Sequence, residues 1–204
     1  MGGNIEMNKV FWLGLGIGLG FLAVLAALFL KPYTFRGSVV QPPYPAPEIV
    51  LQDSHGATFH LAGQRGKPVA IFFGYTRCPD ICPATLENYR LILEQLGSQA
   101  DQVQFVLITV DPAFDRPEVM NAYLQIFDSR IVGLVGNETD LKAVWKAYGV
   151  YREMAPASEN TPEELESHSA ATYLIDKQGR LRATYSQGVS PSDLESDIRY
   201  LIKE

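Results

Sequence analysis

The apolar run Val69-Ala70-Ile71-Phe72-Phe73 is followed by Cys78-Pro79-Asp80-Ile81-Cys82-Pro83, after which apolar residues return at helical spacing. A near-continuous apolar run of this length reads as a strand buried on both faces, as inside a parallel sheet. Leu86, Tyr89, Leu93 and Leu96, three and four apart with Gly97 as a stop, give the following helix one face for a core. The chain therefore turns from a central strand into a helix through a segment that holds its only two cysteines. Proline disfavours the α conformation in the residue before it, so Cys78 and Cys82 are both pushed towards extended geometry. The helix is then expected to begin at Pro83 with Cys82 as its cap, where the helix dipole favours a thiolate. A disulfide kept for stability alone gains little from so short a loop. The spacing points instead to redox chemistry or metal binding.

Segments on either side extend the alternation. Glu48 to Gln52 and Thr58 to Ala62 flank Asp53-Ser54-His55-Gly56 and read as a β-hairpin. Val103 to Val110 is a second buried-type strand, and Asp115-Arg116-Pro117-Glu118 resembles a capping box before a helix over Val119 to Phe127. Ile131 to Val135 follows as a strand, and Asn137 caps a helix carrying Leu141, Val144, Trp145 and Tyr148, ended by Gly149. Val150 to Met154 is expected as a strand. Ala155 to Ser167 is acidic, bears a proline and lacks apolar periodicity, so it reads as a solvated loop. Ala170 to Ile175 and Leu181 to Tyr185 flank Asp176-Lys177-Gln178-Gly179, a hairpin signal, and Ser190-Pro191-Ser192-Asp193 opens a terminal helix. Strands alternating with helices, then a hairpin and a last helix, predict a three-layer α/β domain. A cysteine pair at a strand-to-helix turn points to the thioredoxin arrangement.

The first thirty residues differ from the rest. Residues 10–30 are uncharged and mostly apolar between Lys9 and Lys31, matching the roughly 20 residues needed to span a bilayer. They are expected to form one transmembrane anchor after a short tail at 1–9. A cleaved signal peptide is the competing reading, but its apolar region is typically about 7 to 15 residues. Residues 31–47 contain five prolines and read as an extended spacer before a domain at 48–204. A tail this short leaves no room for an Arg-rich transit peptide, which favours the bacterial cytoplasmic membrane, with the domain on the extracytoplasmic side where disulfides persist.

The net charge of −6 and the lack of a basic stripe or phosphate-binding glycine loop argue against nucleic acid. A soft metal site could draw on the two cysteines, four methionines and three histidines. Met1, Met7 and Met120 are explained as start, tail and helix core; His55 and His60 belong to the opening hairpin and are expected to face solvent. His168 adjoins the strand at Ala170 to Ile175, so a strand could fix it while leaving it reachable. A structural, hydrogen-bonded histidine is the plainer explanation on position alone.

The string Phe72-Phe73-Gly74-Tyr75-Thr76-Arg77-Cys78-Pro79-Asp80-Ile81-Cys82-Pro83-Ala84-Thr85-Leu86 resembles the signature of the Sco/SenC proteins, membrane-anchored copper proteins that assist cytochrome c oxidase assembly. Pro43, Ala46-Pro47, Gly66-Lys67, Val110-Asp111-Pro112 with Asp115, and His168-Ser169 followed by Tyr173-Leu174 extend the likeness. The resemblance implies one copper ion, Cu(I) or Cu(II), held by Cys78, Cys82 and His168. Two thiolates suit cuprous copper, and an added imidazole allows the cupric form. Two Cys and one His with an open position is also a zinc pattern. Ser167 stands where the family often has Asp, so a carboxylate supporting His168 must come from elsewhere; Asp111 is a candidate by resemblance.

The implied role is a metallochaperone that delivers copper to the dinuclear copper site of an oxidase subunit, supplied by another copper chaperone or served by a thioredoxin-like reductant. The alternative is a thiol-disulfide oxidoreductase acting through Cys78 and Cys82 to keep the oxidase cysteines reduced; against it, three residues separate the cysteines where thioredoxins have two. A lone-thiolate peroxidase is opposed by the adjacent second cysteine.

Overall fold

The strand at Val69–Gly74 is buried at every position, as its unbroken apolar character requires. The structure, a computed structural model, describes residues 11–22, 24, 33–155, 164–187 and 190–204, with backbone alone for Met154, Ala155 and Glu164–His168. It divides into two compact units, Met1–Thr34 and Phe35–Glu204.

In the first unit residues 11–22 form helix α1, and every one of them is exposed, Phe11, Trp12, Leu13, Ile17 and Phe21 among them. Among the described residues no helix is long and apolar enough to cross a membrane. Residues 10, 23 and 25–30 of the expected span lie outside the described residues.

The second unit runs β1 (Ser38–Pro45), β2 (Val50–Asp53), β3 (Thr58–His60), β4 (Val69–Gly74), α2 (Ile81–Leu96), β5 (Gln104–Thr109), α3 (Pro117–Leu124), β6 (Val132–Val135), α4 (Glu138–Tyr148), β7 (Arg152–Ala155), β8 (Glu164–His168), β9 (Thr172–Ile175), β10 (Arg180–Tyr185) and α5 (Pro191–Lys203). One eight-stranded sheet has the order β1-β10-β9-β4-β5-β6-β2-β3, and β7 pairs with β8 apart from it. β4, β5 and β6 are parallel; β9, β10, β1 and the β2–β3 hairpin join antiparallel.

The period-2 geometry of β4 splits its apolar residues between two helical layers. Val69, Ile71 and Phe73 pack with Val106, Ile108 and the α4 residues Leu141, Val144, Trp145 and Tyr148. On the other face Tyr89 of α2 meets Phe105 with ring centroids 4.5 Å apart. Met120 and Leu124 of α3 sit so close over Gly133 that a Cβ there would lie 2.3 Å from Met120 Cγ. α5 packs beside α2, where Arg199 donates to Gln99 Oε1 and to the Gln95 carbonyl. The result is a mixed α/β domain of three layers.

Local signals read from single residues are realised where capping geometry is intrinsic to them. Asn137 Oδ1 accepts from the Asp140 N–H at 2.9 Å, and Gly149 ends α4 in the left-handed conformation. Pro191 occupies the first turn of α5, and Gly179 takes positive φ in the β9–β10 turn.

Other segments differ from expectation. Part of the expected spacer, Ser38–Pro45, is strand β1, paired with β10 at the edge of the sheet. Proline is tolerated on an edge, and Pro42 and Pro43 fall where the register shifts between Val39 and Tyr44. The acidic stretch expected as loop ends in strand β8, where pairing with β7 satisfies its backbone groups. α2 starts at Ile81 rather than Pro83, because a first-turn proline lacks an N–H that would have no helical partner there anyway.

Candidate metal centre

Parallel pairing of β4 with β5 carries the chain to the C-terminal end of the sheet, and the loop from Tyr75 to Asp80 returns it into α2. Cys78 lies in that loop, and Cys82 in the first turn of α2. Neither cysteine is in a disulfide, and the Cys82 N–H donates to Cys78 Sγ at 3.4 Å, so the two side chains share one small space. Cys82 is fully buried and Cys78 is 9 % exposed. Gly74 makes that depth attainable: a Cβ on Gly74 would lie 2.8 Å from Cys82 Sγ.

This environment corrects the expectation that Cys82, at a helix start, is readily ionised. Burial pushes its thiol far above the usual cysteine range; a hydrogen bond from the Tyr75 backbone pulls it down, while Cys78 raises it further. Desolvation outweighs the helix-end amides because no solvent reaches the sulfur. Tyr75 beside it is also raised, by burial first and then by Cys78, Cys82 and Asp111.

Two carboxylates from the segment between β5 and α3 support the loop. Asp111, 1 % exposed, accepts from Arg77 at 2.8 Å, and the Arg77 guanidinium lies 4.5 Å from the Phe114 ring centroid. Asp115, 2 % exposed, accepts from the Thr76 hydroxyl at 2.6 Å, from the Thr76 N–H and from the Thr109 hydroxyl at 2.7 Å. The expected capping box is therefore absent: Arg116 stands at the N-cap of α3 with no side-chain cap, and Asp115 faces the cysteine loop. Sequence reasoning gave Asp115 no part in the site. The available signal was its place five residues beyond the end of an apolar strand, but Pro117-Glu118 made a helix start the simpler reading.

Of the histidines, His55 and His60 are exposed on the β2–β3 hairpin, as expected. His168 is placed by its backbone, opposite Arg152 in the β7–β8 ribbon; its side chain lies outside the described residues. Among the described residues no three His, Cys, Asp or Glu side chains group to hold a metal. Topology nevertheless directs the His168 segment towards the cysteines. β9 runs antiparallel to β4 with Thr172 opposite Phe72, so the start of β9 lies at the end of β4 from which the cysteine loop leaves. His168 is four residues before Thr172. The ribbon's base is held by the Ser169 N–H donating to the Tyr151 carbonyl and the Tyr151 N–H donating to Ser169 Oγ, both at 2.9 Å.

Two adjacent reduced sulfurs are a donor set for soft metal ions, and they are equally a dithiol for exchange. The SCO1/SenC family model matches residues 43–203. A SCO2-like protein of Rickettsia prowazekii is 33 % identical over 181 residues, covering 87 % of this chain and 88 % of its own. The copper-bound ScoI of Bradyrhizobium japonicum superposes with a TM-score of 0.70 at 32 % identity, covering 78 % of this chain and 99 % of its own. BsSco, in which a disulfide switch has been identified and which belongs to the Sco family of cytochrome c oxidase assembly proteins, shares the fold with a TM-score of 0.61 at 19 % identity, covering 79 % of this chain and 95 % of its own. With the family model running from the end of β1 through the cysteine loop and the His168 strand into α5, the chain belongs to the SCO1/SenC family.

Proposed function

We propose that this chain is a copper metallochaperone: its thioredoxin-like domain binds one copper ion through Cys78, Cys82 and His168 and passes it to the dinuclear copper site of a cytochrome c oxidase subunit. The observation that supports the proposal is the antiparallel pairing of β9 with β4, which starts β9, four residues after His168, at the end of β4 from which the cysteine loop leaves. Copper is the cargo, and the residues suit it. Two thiolates favour the cuprous ion and a neutral imidazole extends the set to the cupric ion. Three protein ligands leave a position open through which a receiving thiolate or imidazole can enter. The copper-bound relative and the family's place in oxidase assembly support the cargo and the recipient.

The proposal includes a single-pass anchor over residues 10–30 in a bacterial cytoplasmic membrane, the domain facing outwards. Residues 11–22 are helical with apolar side chains exposed on all sides, a pattern suited to lipid. Another copper chaperone as donor fits the same scheme.

The test is metal content and spectrum of the reduced protein. One copper per chain is expected, and His168→Ala is expected to lower cupric affinity and change the thiolate-to-copper absorption. An unchanged affinity and spectrum in that variant would remove His168 from the ligand set.

A second reading is favoured by the proximity of the two reduced cysteines. Cys78, the more accessible, attacks a target disulfide to form a mixed disulfide, and Cys82 resolves it; the target leaves with two thiols and the Cys78–Cys82 pair is oxidised, to be restored by a thioredoxin-like reductant. Accumulation of the mixed disulfide by Cys82→Ser, with no copper transfer by the wild type, would favour this role over the first.

A further inference from the structure

β7 and β8 form a two-stranded sheet of their own, with Arg152 opposite His168 in its register. An isolated two-stranded ribbon is marginally stable in water, so its position depends on what fastens it to the domain. The Arg152 side chain, 16 % exposed, lays its guanidinium over the Trp145 ring of α4, 4.8 Å from the centroid, and reaches Glu138 at 3.6 Å. Glu138 is exposed and also pairs with Lys142 at 3.0 Å, so this ion pair contributes little. The stacking is the stronger contact, because Trp145 is buried and a cation over an indole face is attracted more strongly once water is displaced.

Trp145 in turn leads to the cysteine loop. Its Nε1–H donates to the Thr109 carbonyl at 3.1 Å, and the Thr109 hydroxyl donates to the Asp115 carboxylate that holds Thr76. The end of β5 therefore fastens both segments, the cysteine loop through Asp115 and the His168 ribbon through Trp145 and Arg152. We propose that Arg152 is a positioning residue for His168, holding the β7–β8 ribbon against α4 so that the histidine loses less freedom when it joins the two sulfurs on copper. This inference rests on the copper reading above. A ligand segment ordered in advance binds more tightly than one that must be ordered by the metal.

The experiment is a double-mutant cycle of Arg152→Met with His168→Ala in the full chain. Methionine keeps an unbranched apolar stem and removes the cation. Cu(II) affinity is read by titration of the thiolate-to-copper absorption, and backbone hydrogen exchange is followed without metal at Ser169, whose N–H closes the ribbon's base on the Tyr151 carbonyl, and at Phe72 in β4. Arg152→Met is expected to lower Cu(II) affinity about tenfold while His168 is present and to have no effect in the His168→Ala background. Ser169 should exchange faster in the variant and Phe72 at the wild-type rate. An unchanged Cu(II) affinity, or unchanged exchange at Ser169, would overturn the proposal. So would an equal loss of affinity in both backgrounds, or faster exchange at Phe72, which marks general loosening of the domain. A His168→Ala variant that binds copper as the wild type does would instead overturn the copper reading, and this inference with it.

Discussion

The Thr76 hydroxyl donates to Asp115 Oδ1 across 2.6 Å, joining the cysteine loop to the segment that leads into α3. The Thr109 hydroxyl reaches the other oxygen of the same carboxylate and accepts from the Asp111 N–H, so one buried acid ties the end of β5 to the loop that carries Cys78. Burial raises the Asp115 carboxyl above its usual range, against the Thr76 and Thr109 hydrogen bonds that pull it down. The loop is thus fixed by polar contacts that hold only while every donor is in place.

Thr76→Val keeps the volume and removes one donor from this carboxylate. The expected cost is about 1–3 kcal/mol of unfolding free energy near neutral pH, read by urea denaturation. The loss raises the Asp115 carboxyl further, so the cost shrinks at acid pH, where the protonated acid no longer needs the donor. A pH-independent cost would assign Thr76 to packing alone.

Gly74→Ala tests the space around Cys82. The added Cβ falls 2.7 Å from Phe72 Cε1 and 2.8 Å from Cys82 Sγ, so the ring, the sulfur or β4 must move. Overpacking of this kind costs about 1–3 kcal/mol. Slower alkylation of Cys82 in wild type than in the variant would register the sulfur's displacement; identical rates would place the strain elsewhere.

Cysteine reactivity should be ordered by burial. Cys82 is fully buried and its thiol is pushed up, whereas Cys78 is partly open. Iodoacetamide at mildly alkaline pH, followed by peptide mass spectrometry, should label Cys78 first. Mixed disulfides trapped with a small aromatic disulfide should likewise form on Cys78 in Cys82→Ser and scarcely at all on Cys82 in Cys78→Ser. Preferential labelling of Cys82 would contradict this order of burial.

Asp176 supplies an acid-linked component of stability. Its carboxyl is almost fully buried, and burial alone would raise it, but the Arg180 N–H and guanidinium and the Arg182 guanidinium together hold it below the usual range. A carboxyl lowered in the folded state contributes stability above its unfolded value of about 3.9, and that contribution disappears as pH falls through the lower folded value. Asp176→Asn should therefore cost about 3 kcal/mol at neutral pH and much less near pH 2, with a flatter acid limb in a plot of melting temperature against pH. An equal cost at both pH values would show that the carboxylate charge is irrelevant.

The parts of the fold legible in the chain were those whose cause is local. The run at Val69 to Phe73, the spacing of Leu86, Tyr89, Leu93 and Leu96, the Asn137 cap and the Gly149 stop each act through neighbours within a few residues, and each stands where expected. Asp115 was misread because a capping box and a buried acceptor look alike until β5 is laid beside β4. Ser38–Pro45 was misread because composition describes how a segment behaves alone, and an edge strand is stabilised by its partner β10. Both errors concern groups whose hydrogen-bond partners are distant in the chain.

By itself the sequence determined that a buried strand must turn into a one-sided helix through two cysteines, since side-chain periodicity and proline geometry act locally. Only the tertiary structure decided how deep each sulfur lies, which carboxylate fastens their loop, and at which end of the sheet β9, the strand after His168, begins. Those outcomes depend on solvent exclusion and on strand pairing, which arise when segments far apart in sequence pack together.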